Sequence, residues 1–253
     1  MAFASSPWLR TFKTTPGTPR TDLVCFPPAG GSASAYHGLA KELAPGIAVA
    51  AVQYPGRQDR LDDPMIDTIE GTASAIAEAI TASRSAGRPL ALFGHSMGAS
   101  VAFETARALH ERGAAPAHLI ISGRIPPHHP RDTAFHKATD ADLITELERL
   151  ANNPASVQIL REVPEIAEMV LPSVRNDYKA VETYHYQSAT PSLDCPLTVF
   201  VADDDPTVTV EQSREWARHT TGPFDLVTFP GRHFYLDEQT EAVAKNIATV
   251  IGG

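Results

Sequence analysis

The chain has 253 residues, of which 43% are hydrophobic and 20% charged, with 21 prolines and 16 glycines. That composition fits one globular domain, or one domain carrying a subdomain, and excludes disorder, collagen and a disulfide scaffold. A net charge of −9 gives no global attraction to nucleic acid or to an anionic membrane. The longest wholly apolar run, Ile47 to Val52, is far short of the roughly 18 residues that a spanning helix needs. At the N-terminus Arg10 and Lys13 follow the apolar residues rather than preceding them, so a soluble, cytoplasmic protein is expected. Cys25 and Cys195 lie in or beside apolar runs, where a thiol serves as a small buried hydrophobe.

Short apolar or β-branched runs then alternate with helical stretches. Strands are expected at Leu23 to Phe26, Val49 to Val52, Leu90 to Phe93, Leu119 to Ser122, Leu197 to Val201 and Asp225 to Phe229. Helices are expected at about Ala35 to Leu43, Thr68 to Ser83, Met97 to Arg112, Val210 to His219 and Asp237 to Val250. In the helix after Met97, Val101, Thr105, Ala108 and Leu109 share one face, Glu104, Arg107 and Glu111 fall on the other, and Gly113 supplies the stop. The pattern is that of βαβ units and a mostly parallel sheet flanked by helices, an α/β fold. From Ile125 to about Pro196 the alternation breaks. A PPHHP loop leads into helical patterns at Asp140 to Leu150, Ser156 to Arg161, Glu165 to Leu171 and Ser173 to Tyr186. A structureless connection of that length does not suit a compact domain. The segment 125–189 is therefore expected to be an inserted helical lid on a core formed by 1–124 and 190–253.

Leu90-Ala-Leu-Phe-Gly-His-Ser-Met-Gly98 reads as a strand, then G-x-S-x-G, then a helix. A sharp strand-to-helix turn needs small residues two before and two after the serine, because neighbouring backbones crowd that point. A serine hydroxyl is a poor nucleophile at neutral pH and needs a base, which in turn needs an orienting carboxylate. In the α/β-hydrolase order the acid follows a late strand and the histidine follows the last one. Asp203, Asp204 and Asp205 follow the Leu197 to Val201 run, and His233 follows Asp225 to Phe229. Asp205, at the far side of the turn and before Pro206, is favoured over Asp203. His95 is expected to point to the other side of the turn, as packing. The oxyanion formed on attack needs preorganised N–H donors. The amide of Met97 at the helix N-terminus is one, and that of Ala29, in a loop whose Gly30-Gly31 pair allows close backbone approach, is the other.

These residues resemble the stand-alone type II thioesterases of polyketide and nonribosomal peptide pathways. The matching stretches are FPPAGG with SASAY from Phe26 to Tyr36, YPGRQDR from Tyr54 to Arg60, FGHSMGA from Phe93 to Ala99, LPSVRNDYKAVETY from Leu171 to Tyr184, and GRHFYL from Gly231 to Leu236. The resemblance implies an α/β-hydrolase fold with a helical lid and an acyl-enzyme on Ser96. It also implies hydrolysis of thioesters on the phosphopantetheine arm of an acyl or peptidyl carrier protein, usually to edit stalled or mis-primed acyl groups. Carried over by position, Ser96 is the nucleophile, His233 the base, Asp205 the orienting acid, and Ala29 with Met97 the oxyanion donors. Two stretches depart from the family: Ala202 stands where a glycine is common, and Asn152-Asn153-Pro154 replaces a common Gly-Gly-Thr-Pro, with asparagine able to take the left-handed conformation.

Such a mechanism needs no metal or other cofactor. The ten histidines include no H-E-x-x-H, and His128-His129 lack the spacing that puts two ligands on one helix face, so no metal site is expected. A carboxylesterase or a fatty-acyl chain-releasing thioesterase would share the triad, and a catalytically silent binding module would have no need to keep all three residues. Carrier proteins are typically acidic, so a chain at −9 must dock one through a local patch, for which Arg57, Arg60, Arg175 and Lys179 are candidates. Met169, Leu171, Tyr178 and Tyr184 are candidate walls of an acyl pocket.

Overall fold

In the computed structural model, which describes residues 3–84, 87–129, 132–186 and 193–252, the apolar runs line up in one seven-stranded sheet. In chain order the first half comprises β1 (Leu9–Thr11), β2 (Thr21–Phe26), α1 (His37–Leu43), β3 (Ile47–Val52), α2 (Ile69–Ser83), β4 (Leu90–His95), α3 (Met97–Glu111) and β5 (His118–Ser122). The inserted segment supplies α4 (Asp140–Leu150), α5 (Ile159–Glu162) and α6 (Pro164–Glu182). Then follow β6 (Leu197–Ala202), α7 (Val210–Arg214), β7 (Phe224–Phe229), α8 (Tyr235–Glu238) and α9 (Thr240–Ile251). The strand order is β1-β3-β2-β4-β5-β6-β7, with β1 antiparallel to β3 and the other pairings parallel. β1 was not expected, since Leu-Arg-Thr is too short to show a period.

Strands β2, β4 and β6 are buried along their whole length, as parallel strands covered on both faces must be. Their side chains alternate between two cores. Val24, Phe26, Leu92 and Val199 pack towards α2 and α3, while Leu23, Cys25, Phe93 and Phe200 pack towards α1 and α9. Both cysteines are free and buried, and burial is the first cause that raises both thiols, Cys195 to about 11. Among the described residues no helix is long and apolar enough to cross a membrane.

The helices differ from expectation where tertiary burial overrides local pattern. α3 is buried nearly all round, and Glu104 is covered rather than solvated, taking bonds from Arg107 and from the Tyr184 hydroxyl. The two helices expected on either side of Pro172 are one, α6. Proline removes an N–H and crowds the preceding turn. Yet Leu171, Val174, Tyr178 and Val181 form a buried stripe that runs past it, so packing holds the helix together. Asn153 keeps an extended φ of −122° and caps a 3₁₀ turn through its side chain, so no left-handed residue is used there. The expected core boundary at 189–190 lies outside the described residues.

The inserted helices are tied to the core by specific bonds. Asp177 on α6 accepts from both Nη1 and Nη2 of Arg57 at 2.8 Å and from the Gly30 N–H at 2.8 Å. Arg57 also donates to the carbonyls of Pro55 and Gly31. Gly30 has φ +71°, and a Cβ there would stand 2.9 Å from Val174 Cγ2, so the glycine lets α6 press against this loop. Beyond α4, Asn152 Nδ2 donates to the Phe234 carbonyl at 2.9 Å and Arg232 to the Arg149 carbonyl at 2.8 Å.

Removing one member of a buried ion pair strands the other. Arg57→Met or Asp177→Leu alone is expected to lower the unfolding free energy by about 3–5 kcal/mol, and the double variant to lose less than the sum of the two. Urea unfolding of the four proteins measures this, and strictly additive losses would show that the two side chains do not act as a pair.

Candidate active site

β4 ends at His95 and α3 begins at Met97, so Ser96 alone turns the chain. It does so at φ 55°, ψ −120°, a strained conformation for a residue with a Cβ. The flanking glycines are required for space. A Cβ on Gly94 would lie 2.2 Å from the Gly98 carbonyl oxygen, and one on Gly98 would lie 2.0 Å from that of Phe26. The Ser96 N–H donates to the Ser122 carbonyl at 2.9 Å, which holds the turn against β5.

The loop after β7 places His233 Nε2 2.9 Å from Ser96 Oγ. On the other side of the ring, Nδ1 is 2.9 Å from Asp205 Oδ2 and 3.1 Å from Oδ1. The side chains of His233 and Asp205 are 2% and 0% exposed. Burial by itself would raise the Asp205 carboxyl. The bond and charge of His233, with Thr207 donating from its N–H and its hydroxyl at 2.8 Å each, outweigh burial and hold that carboxyl below the usual range. An ionised Asp205 keeps the His233 proton on Nδ1 and leaves Nε2 free to accept from Ser96. Of the three adjacent aspartates, Asp205 is the one that reaches His233. Asp203 is exposed and accepts from the Gly231 N–H at 3.0 Å instead.

Ser96 and His233 open into a pocket of about 430 Å³ that Ala29 and Met97 also line. The Met97 N–H lies in the first turn of α3, where a helix offers no internal acceptor and carries positive partial charge. In the facing loop the Gly30 N–H is committed to Asp177 and that of Gly31 to the Pro28 carbonyl, which leaves Ala29 as the donor that can face an oxyanion. Phe135, Leu147, Leu150, Tyr178 and Val181 from the inserted segment wall the pocket, with Arg124, Thr207 and Phe234 from the core.

Of the four residues expected to wall an acyl pocket, Tyr178 does. Met169 is 55% exposed and cannot. Leu171 is buried among Leu143, Ile144 and Val174 inside the inserted helices, and Tyr184 is spent on Glu104. Leu147 and Leu150 were missed because the α4 pattern shows an apolar stripe without showing what it faces. The expected docking arginines are also largely committed. Arg57 is 7% exposed and paired with Asp177, so it cannot meet a partner. Arg60 stacks on Trp8 and bonds Asp63 and the Gln53 carbonyl. Arg175 donates to the carbonyls of Phe135, His136 and Ala138 and to Asp140. Lys179 is exposed and paired with Asp67.

His95 does not point away from the chemistry. Its ring lies 5.0 Å from that of His233, and its Nδ1 is 2.9 Å from Ser122 Oγ, which is 2.7 Å from the Tyr235 hydroxyl. Burial first, then the neighbouring His233, holds His95 down to about 3. Burial and the neighbours His128, Arg218 and Arg107 hold His219 down to about 4.

A Ser–His–Asp geometry on a strained strand-to-helix turn, at one end of a parallel sheet, defines a serine hydrolase of α/β-hydrolase architecture. The thioesterase domain profile matches residues 21–251. The chain is 42% identical over 246 residues to a probable cadicidin biosynthesis thioesterase of Streptomyces griseus, covering 96% of this chain and 66% of that protein. It is 40% identical over 242 residues to thioesterase PikA5 of Streptomyces venezuelae, covering 95% of this chain and 84% of that one. The type II thioesterase BorB from the borrelidin biosynthetic cluster shares the fold at a TM-score of 0.85 and 40% identity, covering 97% of this chain and 98% of that chain. The chain belongs to the thioesterase family, among the type II thioesterases of polyketide and nonribosomal peptide clusters.

Two outcomes are expected from the site. Asp205→Asn should lower kcat by about 10⁴-fold, because the amide favours the wrong tautomer of His233. Asp203→Asn should stay within a few-fold, and equal losses would mean that the pairing with His233 is not the operative one. The second concerns stability. His95 and His219 ordinarily titrate near 6.5 and stay neutral in the fold down to about 3 and about 4, so below pH 6.5 the unfolded chain takes up protons that the folded chain refuses. Stability is then present in full above that pH and is lost as pH falls, by up to about 1.4 kcal/mol per pH unit for each histidine. Urea unfolding between about pH 7 and about pH 5 reads the slope, and His219→Gln should flatten it; an unchanged slope would contradict this.

Proposed function

We propose that this chain hydrolyses acyl thioesters on the phosphopantetheine arm of an acyl or peptidyl carrier protein, clearing stalled or mis-primed groups so that polyketide or nonribosomal peptide synthesis can resume. The supporting observation is Ser96 Oγ at 2.9 Å from His233, itself held by an ionised Asp205, on the floor of a pocket walled by α4 and α6. Ser96 is the nucleophile. As Oγ attacks the thioester carbonyl, His233 Nε2 takes its proton, and the charge that forms on the carbonyl oxygen meets the amides of Ala29 and Met97. One such donor is worth about 3–4 kcal/mol in the transition state. The carbon–sulfur bond then breaks, His233 returns the proton to the arm's sulfur, and the acyl group stays on Ser96 as an ester. Water, deprotonated by His233, attacks that ester, and the acid leaves as Ser96 regains its proton.

In this reading the segment 125–189 is the lid, and Phe135, Leu147, Leu150 and Tyr178 give the acyl chain an apolar wall. With Arg57, Arg60 and Arg175 committed within the chain, Lys179 is the exposed cation of the candidate docking group. The setting is the cytoplasm, beside the synthase.

The test follows hydrolysis of acetyl, propionyl and long-chain acyl groups loaded on one carrier protein by intact mass, beside a matched oxygen ester. The wild type should clear short acyl carrier thioesters in preference to the oxygen ester, and Ser96→Ala should lose on the order of 10⁶-fold in kcat. Preference for the oxygen ester would make the chain an esterase. A lack of turnover by either protein would return it to the binding-module reading.

A further inference from the structure

Away from the pocket, the loop after β5 that carries His128 and His129 meets the 3₁₀ turn Glu215–His219 that follows α7. His128 Nε2 lies 3.2 Å from Glu215 Oε2, and His129 Nε2 lies 3.2 Å from Glu215 Oε1. One ligating atom from each of the three residues falls within 4.8 Å of the other two. In the sequence, His128 and His129 are only two adjacent histidines off any helix; the fold adds a carboxylate 87 residues further on.

We propose that His128, His129 and Glu215 bind one divalent transition ion of the zinc class, which clips the root of the inserted segment to the core. A tetrahedral ion with bonds of about 2.0–2.2 Å sets its ligands roughly 3.3–3.6 Å apart, close to the 3.2 Å that separates His128 Nε2 from Glu215 Oε2, while His129 Nε2 stands as far from the carboxylate's other oxygen and the three ligand atoms fall within 4.8 Å of one another. Two imidazoles and one carboxylate are a nitrogen and oxygen set suited to zinc, and they leave a fourth position for water.

The site is built rather than assembled from loose surface groups. Trp216, fully buried, donates from Nε1 to the Arg124 carbonyl at 2.8 Å and so fixes the start of the loop to the turn that carries Glu215. His128 Nδ1 is 2.9 Å from Nε2 of the buried His219, which orients the His128 ring as an outer partner orients a metal-bound imidazole. The His128 and His129 rings sit 4.6 Å apart. His129 Nε2 is buried and, although near Glu215, makes no well-aligned hydrogen bond. The competing cation is Arg218, whose Nη1 is 3.3 Å from Glu215 Oε2; its side chain is 69% exposed and free to swing away. Arg124, two residues past the end of β5, lines the pocket, so an ion here would stiffen the loop that borders it. The proposal does not rest on which ester the enzyme cleaves.

The test titrates the chelator-stripped, desalted full chain with Zn²⁺ by calorimetry and with Co²⁺ by visible absorption. One Zn²⁺ per chain is expected, with a Co²⁺ spectrum of tetrahedral intensity, a rise in Tm on loading and no response to Mg²⁺. His128→Ala, His129→Ala and Glu215→Gln should each weaken Zn²⁺ binding at least tenfold and abolish the rise in Tm. His110→Ala, which removes a two-member surface pair with Asp194, should leave both unchanged. Circular dichroism without metal checks that each variant is folded, and Glu215→Gln keeps the side-chain shape. Absence of saturable Zn²⁺ binding to the wild type, or equal binding by His129→Ala and His110→Ala, would overturn the proposal and leave the cluster a histidine–carboxylate ion pair.

Discussion

Asp177 sits almost out of reach of water, and a charge there costs several kcal/mol unless its oxygens are met by donors. Here both are met. The Arg57 fork takes both oxygens and the Gly30 N–H takes one of them again. A buried ion pair of this kind adds little net stability compared with apolar residues of the same volume. Its consequence is positional: α6 cannot shift without unpairing a buried charge, and neither can the loop from Pro28 to Gly31. Asp177 takes the Gly30 amide, and Ala29, one residue earlier, lines the pocket. Tyr178 and Val181 of α6, which wall the pocket, and the facing loop at Ala29 are thus held as one unit.

The floor is fixed by different means. The strained Ser96 is held by backbone contacts so close that its flanking glycines admit no side chain. Beneath His233 a chain of neutral partners, His95, Ser122 and Tyr235, fills the space with hydrogen bonds that carry no charge. Gly123 at φ +57° completes that layer, since a Cβ there would stand 2.8 Å from His95 Cε1. A neutral layer suits its place. A cation behind His233 would oppose the imidazolium that forms during catalysis, whereas Asp205, aligned on Nδ1, favours it.

What could be read from the chain alone follows from how local each signal is. The strands other than β1, the glycine-flanked serine and the order of Ser96, Asp205 and His233 depend on neighbours in sequence or on a fixed chain order, and the fold has them where they were expected. What depends on a distant partner was misread. Arg57 looks like a surface cation until Asp177 arrives from 120 residues away. Glu104 looks solvated until Tyr184 covers it, and Met169 looks like part of an apolar wall until α6 is seen to turn it outward. Pro172 looks like a helix break until a buried stripe on both sides is shown to pack. In each case the deciding energy is tertiary burial or pairing, and neither leaves a period in the sequence.

The same internal pairing bears on how a carrier protein would be recognised. Arg57, Arg60, Arg84, Arg88, Arg107, Arg149, Arg161 and Arg175 each stand against a carboxylate of this chain. Their fields are therefore largely cancelled within the molecule, and the residual charge of −9 repels an acidic partner at long range. Screening over about 8–10 Å at cellular salt removes most of that repulsion without supplying attraction. Discrimination then falls on what enters the pocket. A thiolate leaves a tetrahedral intermediate more readily than an alkoxide, so in the proposed mechanism a thioester acylates Ser96 with less help from the two amide donors than an oxygen ester would need. An entering acyl group meets a site of about 430 Å³ in which Phe135, Leu147, Leu150 and Tyr178 stand beside the polar Arg124, Glu146 and Arg149. On the proposed reading, an enzyme that must meet many carriers without competing with the synthase for them gains from weak docking, because affinity for the carrier surface would bind loaded and empty carriers alike.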